Sequence, residues 1–488
     1  MANEASSERG GTGFTSMLSP VSSVIRRSPV TVPIAATVRE ALQVMDQMRI
    51  GSIIVIDPAN GLPLGIFTLQ DLLRRVVLED GELDQPIACV MTAGLLTLRP
   101  SATAYQAALT MARRGVRHLL VVDPAGKLLG IVSQNDLFTL QRTGVTNLSE
   151  EIRTAPDVAA LQAAAREIRR LAGAMLAQGT GAETLTHFVS TLNDVLTSRV
   201  LEIVLDEMEV PAVHWCWIAL GSEGRLEQTF STDQDNGIIF EAEHPEDTAH
   251  LREKFLPFAL RVNTLLDACG FPLCKGKIMA SNPEWCLSLD EWQRKFHDWI
   301  QRPEPEALLS ASIFFDFRAL YGNADLSDRL REWLLQHAPG NPLFLRHMGQ
   351  NALSARPPLG LIRDFSFDDS KEFPHTLELK LYGARPFIDA ARILALANRV
   401  AETSTAQRLR SIAEQAAWGT DDLAAMIEGF YFIQLLRLRN QANPDPKVHP
   451  NRIDPEQLNE LDRQILKEAF KQGRKLQQRL ALDYSLDY

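Results

Sequence analysis

Between residues 17 and 145 the pattern of apolar and polar positions runs twice. Thr31, Ala36, Thr37, Ala41, Met45, Val55 and Asp57 recur at the same spacing as Thr97, Ala102, Thr103, Ala107, Met111, Val121 and Asp123. With one residue deleted, the stretch Gly65 to Leu72 recurs as Gly130 to Leu137. The copies span about 17–80 and 84–145. Each predicts a short β segment, a helix (38–48 and 104–114), a strand (52–56 and 118–122), a turn, a second strand (65–67 and 130–132) and a closing helix. Ile53-Ile54-Val55-Ile56 and Leu119-Leu120-Val121-Val122 are uniformly apolar. Such runs fit buried strands and not half-exposed ones.

From 150 to 208 the period becomes helical. Asp157 to Met175 and Glu183 to Met208 read as an antiparallel pair broken at Gly179-Thr180-Gly181, a joint between the repeats and the remainder of the chain. Residues 209–338 are mixed. Strands at Val213–Leu220 and Asn236–Glu241 flank a polar loop, and Leu251–Cys269 is a helix. A strand near Pro272–Lys277 precedes helical stretches at Trp292–Ile300, Ala307–Tyr321 and Leu326–His337. The final third, 340–488, carries apolar stripes at helical spacing over Ala384–Asn398, Gln407–Trp418, Thr420–Asn440 and Pro455–Leu482, which predicts a bundle. The fold class is therefore α/β plus all-α. Trp215, Trp217, Trp285, Trp292 and Trp299 read as core packing and a cleft wall.

Composition narrows the function. At 488 residues and 45% hydrophobic content the chain holds about three domains. A net charge of −11 argues against a nucleic-acid or anionic-membrane binder. Cys89, Cys216, Cys269, Cys274 and Cys286 lack paired spacing and read as reduced, mostly packed thiols and not as disulfides or a zinc site. Met1 to Ser16 has no apolar stretch of a signal peptide, and no segment approaches the ~20 apolar residues of a membrane helix. A cytoplasmic location is expected.

The chemistry concentrates in residues 218–240, where an apolar strand runs into Gly221-Ser222 and Asp233-x-Asp235 leads into a second apolar strand. Glycine lets backbone approach a triphosphate, and the neighbouring hydroxyl can bond a phosphate oxygen. Carboxylates at i and i+2 project from one face and suit Mg²⁺ (or Mn²⁺), which takes oxygen ligands and shares its shell with substrate phosphates. Arg225 is a candidate phosphate partner through its bidentate geometry. Glu227 and Asn236 are candidates for orienting the loop.

Gly221, Ser222, Gly224, Arg225, Glu227, Thr232, Asp233 and Asp235 match without a gap the signature of the polymerase-β-like nucleotidyltransferases. Within that superfamily the segment most resembles the bacterial PII uridylyltransferases, with Gln228 in place of their usual leucine. The stretch Phe315 to Leu320 with Gly322 resembles a second motif of the same enzymes. Superfamily sites often carry a third carboxylate on a later strand. Lys275 to Ala280 supplies none, which leaves Asp316, Glu284 and Asp290 as candidates; Lys275 and Lys277 are either phosphate contacts or exposed lysines.

The repeats resemble a tandem CBS pair, or Bateman module, whose clefts typically hold adenine nucleotides. The resemblance implies ribose contacts at Thr68 and Asp71 and at Ser133 and Asp136; helix-capping charges are the plainer reading. The order of CBS pair (17–145), helical linker (150–208), nucleotidyltransferase core (209–338) and helical substrate-binding domain (340–488) is similar to a family covering nearly the whole chain. It implies transfer of UMP or AMP from UTP or ATP to a protein or small-molecule hydroxyl, with AMP or ATP at the CBS pair as regulator and a homodimer formed through the CBS modules. The rival reading is a non-catalytic energy sensor with a degenerate transferase scaffold.

Overall fold

A computed structural model of the chain describes residues 20–25, 29–114, 116–303, 312–360, 365–367, 372–416, 418–443, 445 and 448–486. The Met1–Ser16 reading, Gly115 and residues 307–311 of an expected helix lie outside them. Two compact units are present, Met1–Leu148 and Ser149–Tyr488.

In the first unit β1 (Thr31–Pro33) pairs parallel with β2 (Ser52–Ile56), which pairs antiparallel with β3 (Pro63–Thr68). The second copy repeats this with β4 (Thr97–Leu98), β5 (His118–Val122) and β6 (Leu128–Ser133). Both hairpins carry the same irregularity, after Val55 and after Val121. The connecting helices, Val38–Met48 and Ala104–Arg114, start in equivalent ways. Thr37 and Glu40 cap one reciprocally, as Thr103 and Gln106 cap the other. Val38, Ala41 and Met45 of the first helix enter one core, and Ala104, Ala107 and Met111 the other.

The leading stretch of each copy packs on the opposite copy. Val21 and Val24 lie in the second core, and Ile87 and Val90 lie in the first. Val21 N donates to Ala102 O at 2.7 Å, and Ile87 N donates to Ala36 O at 2.8 Å. Glycine is needed where these stretches cross the sheets. A Cβ at Gly130 would stand 2.5 Å from Ile25 Cδ1, and one at Gly65 would stand 2.3 Å from Met91 Sδ.

The second unit is built on a four-stranded sheet of order β10-β7-β8-β9, comprising β7 (Trp215–Ala219), β8 (Asn236–Phe240), β9 (Cys286–Ser288) and β10 (Arg318–Gly322). β7 and β8 are antiparallel and almost wholly buried, as their unbroken apolar runs require. Two expectations are corrected here. Residues 272–277 form no strand: Pro272 cannot donate to a ladder and Lys277 is left-handed at φ 56°, so the segment loops and the sheet takes Cys286–Ser288 instead. Of the helix expected over 307–321, the described part is a short turn, Ser312–Phe315, followed by β10, which pairs with β7.

The helices Val158–Ala177 and Ala182–Glu207 form the expected antiparallel pair. They wall the sheet domain instead of standing apart from it: Ser190 Oγ accepts from Gln228 N at 3.1 Å and Asn193 Nδ2 donates to Gln228 Oε1 at 3.1 Å. The C-terminal helices Pro342–Ser354, Arg385–Ala397, Thr405–Ala416, Thr420–Gln441 and Glu460–Asp483 share one continuous core with the sheet. That core runs from Cys216 and Ile239 to Phe430 and Leu480. No helix among the described residues is long and apolar enough to cross a membrane.

Candidate functional site

β7 ends at Ala219 and the chain turns at once. Gly221 sits at φ +56°, a left-handed conformation that favours glycine, and Gly221–Gly224 form a single helical turn. The turn lies directly against β8. A Cβ on Gly221 would stand 2.8 Å from Ile313 and 3.1 Å from Asp235 Oδ2, so glycine is required for the approach as well as for the angle. Ser222 Oγ faces Thr232 Oγ1 at 3.4 Å.

Asp233 and Asp235 lie in the loop immediately before β8, one step earlier than a position on the strand itself. Their carboxylates and Cys274 Sγ all lie within 4.8 Å of one another. Asp233 is exposed and Asp235 is 9% exposed. Burial and then the neighbouring Asp233 push the Asp235 carboxyl up to about 7, against the Cys274 thiol hydrogen-bonded to it and the more distant Lys380 and Arg225. No Lys or Arg among the described residues forms an ion pair with Asp235. A buried carboxylate beside a second one, without a cationic partner, is a donor set that fits a divalent cation.

An amide network holds this edge in place. Asn236 Oδ1 accepts from Ala280 N at 2.8 Å and from Asn263 Nδ2 at 3.0 Å. Gln234 Nε2 donates to Asn263 O and Phe271 O at 2.9 and 2.8 Å. Asn236 thus ties β8 to the 271–280 loop that carries Cys274. Asn263 and Gln234 escaped the sequence reading, and Cys274 was read there only as a packed thiol. A polar Asn263 on the apolar face of the Thr248–Ala268 helix was the available signal.

Arg225 and Asp316 do something other than expected. Arg225 is buried; its Nε donates to Glu227 Oε2 and its Nη1 to Asp316 Oδ2, both at 2.7 Å. It is therefore committed to protein partners and not free for a phosphate. Asp316, fully buried, also accepts from Arg392 Nη2 at 2.6 Å and Arg408 Nη1 at 2.6 Å. Desolvation opposes its charge, but these three guanidinium groups prevail and hold it far below the usual carboxylate range. With both oxygens occupied, Asp316 is not a third metal carboxylate. Glu227 Oε1 accepts from Thr405 N at 2.6 Å, which fastens the signature loop to the C-terminal helices. Glu284 and Asp290 are exposed and lie outside the Asp233–Asp235–Cys274 cluster. Glu223, on the glycine turn, is buried and pushed up to about 8, by desolvation first and then by Asp194.

In the first unit Thr68 and Asp71 cap one helix reciprocally, as Ser133 and Asp136 cap the other. Both pairs also line clefts. A cavity of about 570 Å³ includes Thr68, Asp71, Arg74 and Arg75. One of about 760 Å³ includes Val30, Met48, Ser133 and Asp136. His118 faces both. The carboxylates differ: Asp71 Oδ1 accepts from Thr92 Oγ1 at 2.9 Å, whereas Asp136 Oδ1 accepts no hydrogen bond from the described residues.

Comparison with known proteins matches residues 166–306 to the family described as "Putative nucleotidyltransferase DUF294" and 342–484 to "Putative nucleotidyltransferase substrate binding domain". Residues 21–78 and 87–142 match the CBS domain. An uncharacterised protein of Methanopyrus kandleri is 31% identical over 134 residues, 27% of this chain and 68% of its own. The CBS domain-containing protein YhcV of Bacillus subtilis is 28% identical over 140 residues, 28% of this chain and 98% of its own. Among solved structures, a CBS domain protein from Pyrobaculum aerophilum complexed with AMP is 27% identical, with TM-score 0.24, covering 26% of this chain and 98% of its own.

Proposed function

This chain is a DUF294-family protein in which a CBS pair precedes the nucleotidyltransferase domain and its substrate-binding domain, and on that premise we propose that it transfers a nucleoside monophosphate from UTP or ATP to a hydroxyl on a protein or small molecule. The observation that carries this reading is the seating of the glycine turn against a buried carboxylate: a Cβ on Gly221 would stand 3.1 Å from Asp235 Oδ2.

Asp233 and Asp235 would hold the divalent cation, Mg²⁺ or Mn²⁺ in the simplest case. Bound there, it would supply alignment at the α-phosphorus and neutralise charge that develops on the phosphate. The Gly221–Gly224 turn offers backbone to the β- and γ-phosphates, with the Ser222 hydroxyl beside it. The acceptor oxygen bonds to the α-phosphorus, the bond to the bridging oxygen breaks and pyrophosphate leaves. The hydroxyl proton passes to Asp233, the exposed carboxylate, or to solvent. Arg225 and Glu227 shape the loop and contact no substrate. Lys380, exposed at the start of the turn Lys380–Ala384 and electrostatically within reach of Asp235, is a candidate to meet a phosphate.

The CBS pair regulates by binding AMP or ATP, with Ser133 and Asp136 the better-equipped cleft. Leu69, Leu73 and Val77 recur at one-turn spacing and are all more than half exposed, an apolar stripe that supports pairing with a second copy of the same module as a homodimer. Incubating the full chain with labelled UTP or ATP and cell extract tests the reading. Label on a specific acceptor supports it; binding without transfer in any fraction would leave the energy-sensor reading instead.

A further inference from the structure

The 271–280 loop, where a strand was expected and no third carboxylate is found, brings a thiol to the site. Cys274 is nearly buried, and its Sγ lies with the Asp233 and Asp235 carboxylates inside a 4.8 Å circle. The loop is fixed on both sides: Gln234 holds Phe271 O, Asn236 holds Ala280 N, and Lys277 N donates to Cys274 O at 2.9 Å. In the tetrahedral geometry of zinc-type sites, metal–sulfur and metal–oxygen bonds of about 2.3 and 2.1 Å place ligand atoms about 3.4–3.6 Å apart. The side chains therefore need to close by about 1 Å, within the reach of small rotamer adjustments.

Sulfur changes which cation the site prefers. Mg²⁺ demands oxygen and dehydrates reluctantly, whereas thiolate donors favour softer ions of the zinc group. Three protein ligands with remaining positions open is the pattern of a catalytic zinc site, and a closed four-ligand set is that of a structural one. We infer that Cys274 is the third protein ligand of the Asp233–Asp235 site, and that this site selects a thiophilic divalent cation over Mg²⁺. The use of that cation in transfer rests on the function proposed above; its binding does not. On binding, the thiol proton is released to solvent.

The test uses the full chain, stripped with a chelator, in a Cys89→Ser background because Cys89 is an exposed thiol. Co²⁺ and Cd²⁺ are titrated while sulfur-to-metal charge-transfer absorbance is followed, and Mg²⁺ binding is measured by calorimetry. The parent should develop the band at one cation per chain. Cys274→Ser should abolish it and weaken Co²⁺ and Cd²⁺ binding more than about tenfold, with Mg²⁺ affinity unchanged. Cys274→Asp, with native circular dichroism, should shift preference toward Mg²⁺. No band in the parent, or an unchanged band in Cys274→Ser, would overturn the inference. If Asp233→Asn and Asp235→Asn abolish transfer while Cys274→Ser binds Co²⁺ as before, the transferase stands and the thiol ligand falls. If the band behaves as described and no NTP is turned over, the cation site stands without the transferase.

Discussion

Arg225 Nη1 and Asp316 Oδ2 lie 2.7 Å apart in a buried site, joining the signature loop to a carboxylate that Arg392 and Arg408 hold from the C-terminal helices. The loop's position is thus set jointly by the transferase core and the substrate-binding domain. Replacing Asp316 by Asn leaves three guanidinium groups around a neutral amide. Breaking a buried ion cluster from one side costs about 3–5 kcal/mol. Urea unfolding of Asp316→Asn should show a loss of that size, well above that of Glu284→Gln at the exposed edge.

Asp233→Asn and Asp235→Asn should each reduce transfer more than about 10²-fold, since each removes a carboxylate that would hold the cation opposite the developing phosphate charge. Asp235→Asn should not lower thermal stability in the absence of divalent cations, because the carboxylate it removes is buried without a cationic partner. Steady-state kinetics and melting curves on one preparation check both halves.

Glu223 imposes a pH dependence of determinate sign. Its folded value, about 8, lies above the ordinary 4.5, so the folded state binds its proton more tightly. The stabilisation is full below the ordinary value and is lost as pH rises through about 8. Asp194 and Asp235 push in that direction and Arg318 against it. Glu223→Gln should flatten the fall of melting temperature across this window and be the more stable form above it.

Adenine nucleotide should bind the cleft of Asp136 in preference to that of Asp71, whose outer oxygen Thr92 already occupies. Calorimetry should register AMP or ATP binding that Asp136→Ala removes and Asp71→Ala largely preserves. Occupancy should shift transfer within the range of about 5–150-fold usual for coupled sites. No heat at millimolar nucleotide would leave the pair as a dimerisation platform.

Gly130→Ala should destabilise the first unit by about 1–3 kcal/mol, the usual cost of overpacking. Adding Ile25→Ala should restore part of the loss, because the new methyl meets that side chain. An unaltered melting curve for Gly130→Ala would contradict the close approach.

Legibility in the sequence tracks the range of the interactions. The placement of Gly221 on a turn after one apolar strand and of Asp233 and Asp235 just before the next was legible because that pattern is written in consecutive residues. Periodicity likewise revealed the repeats, since each copy's core is largely its own. Arg225 was misread because its partner Asp316 is 91 positions away, and guanidinium geometry suits phosphate and carboxylate alike. The stretch Arg318–Tyr321 was taken for helix because Ala319 and Leu320 favour one. Pairing with β7 overrides that preference. Cys274 was read as a packed thiol because no local spacing links it to Asp235.

The exchange of leading stretches in the first unit has a consequence for heredity. A cut between the copies, around residues 80–84, gives neither half its own complement: one loses Ile87 and Val90, the other Val21 and Val24. Neither copy is a portable part. Any rearrangement that moves this module into another protein must carry it whole, from before residue 21 through the last strand.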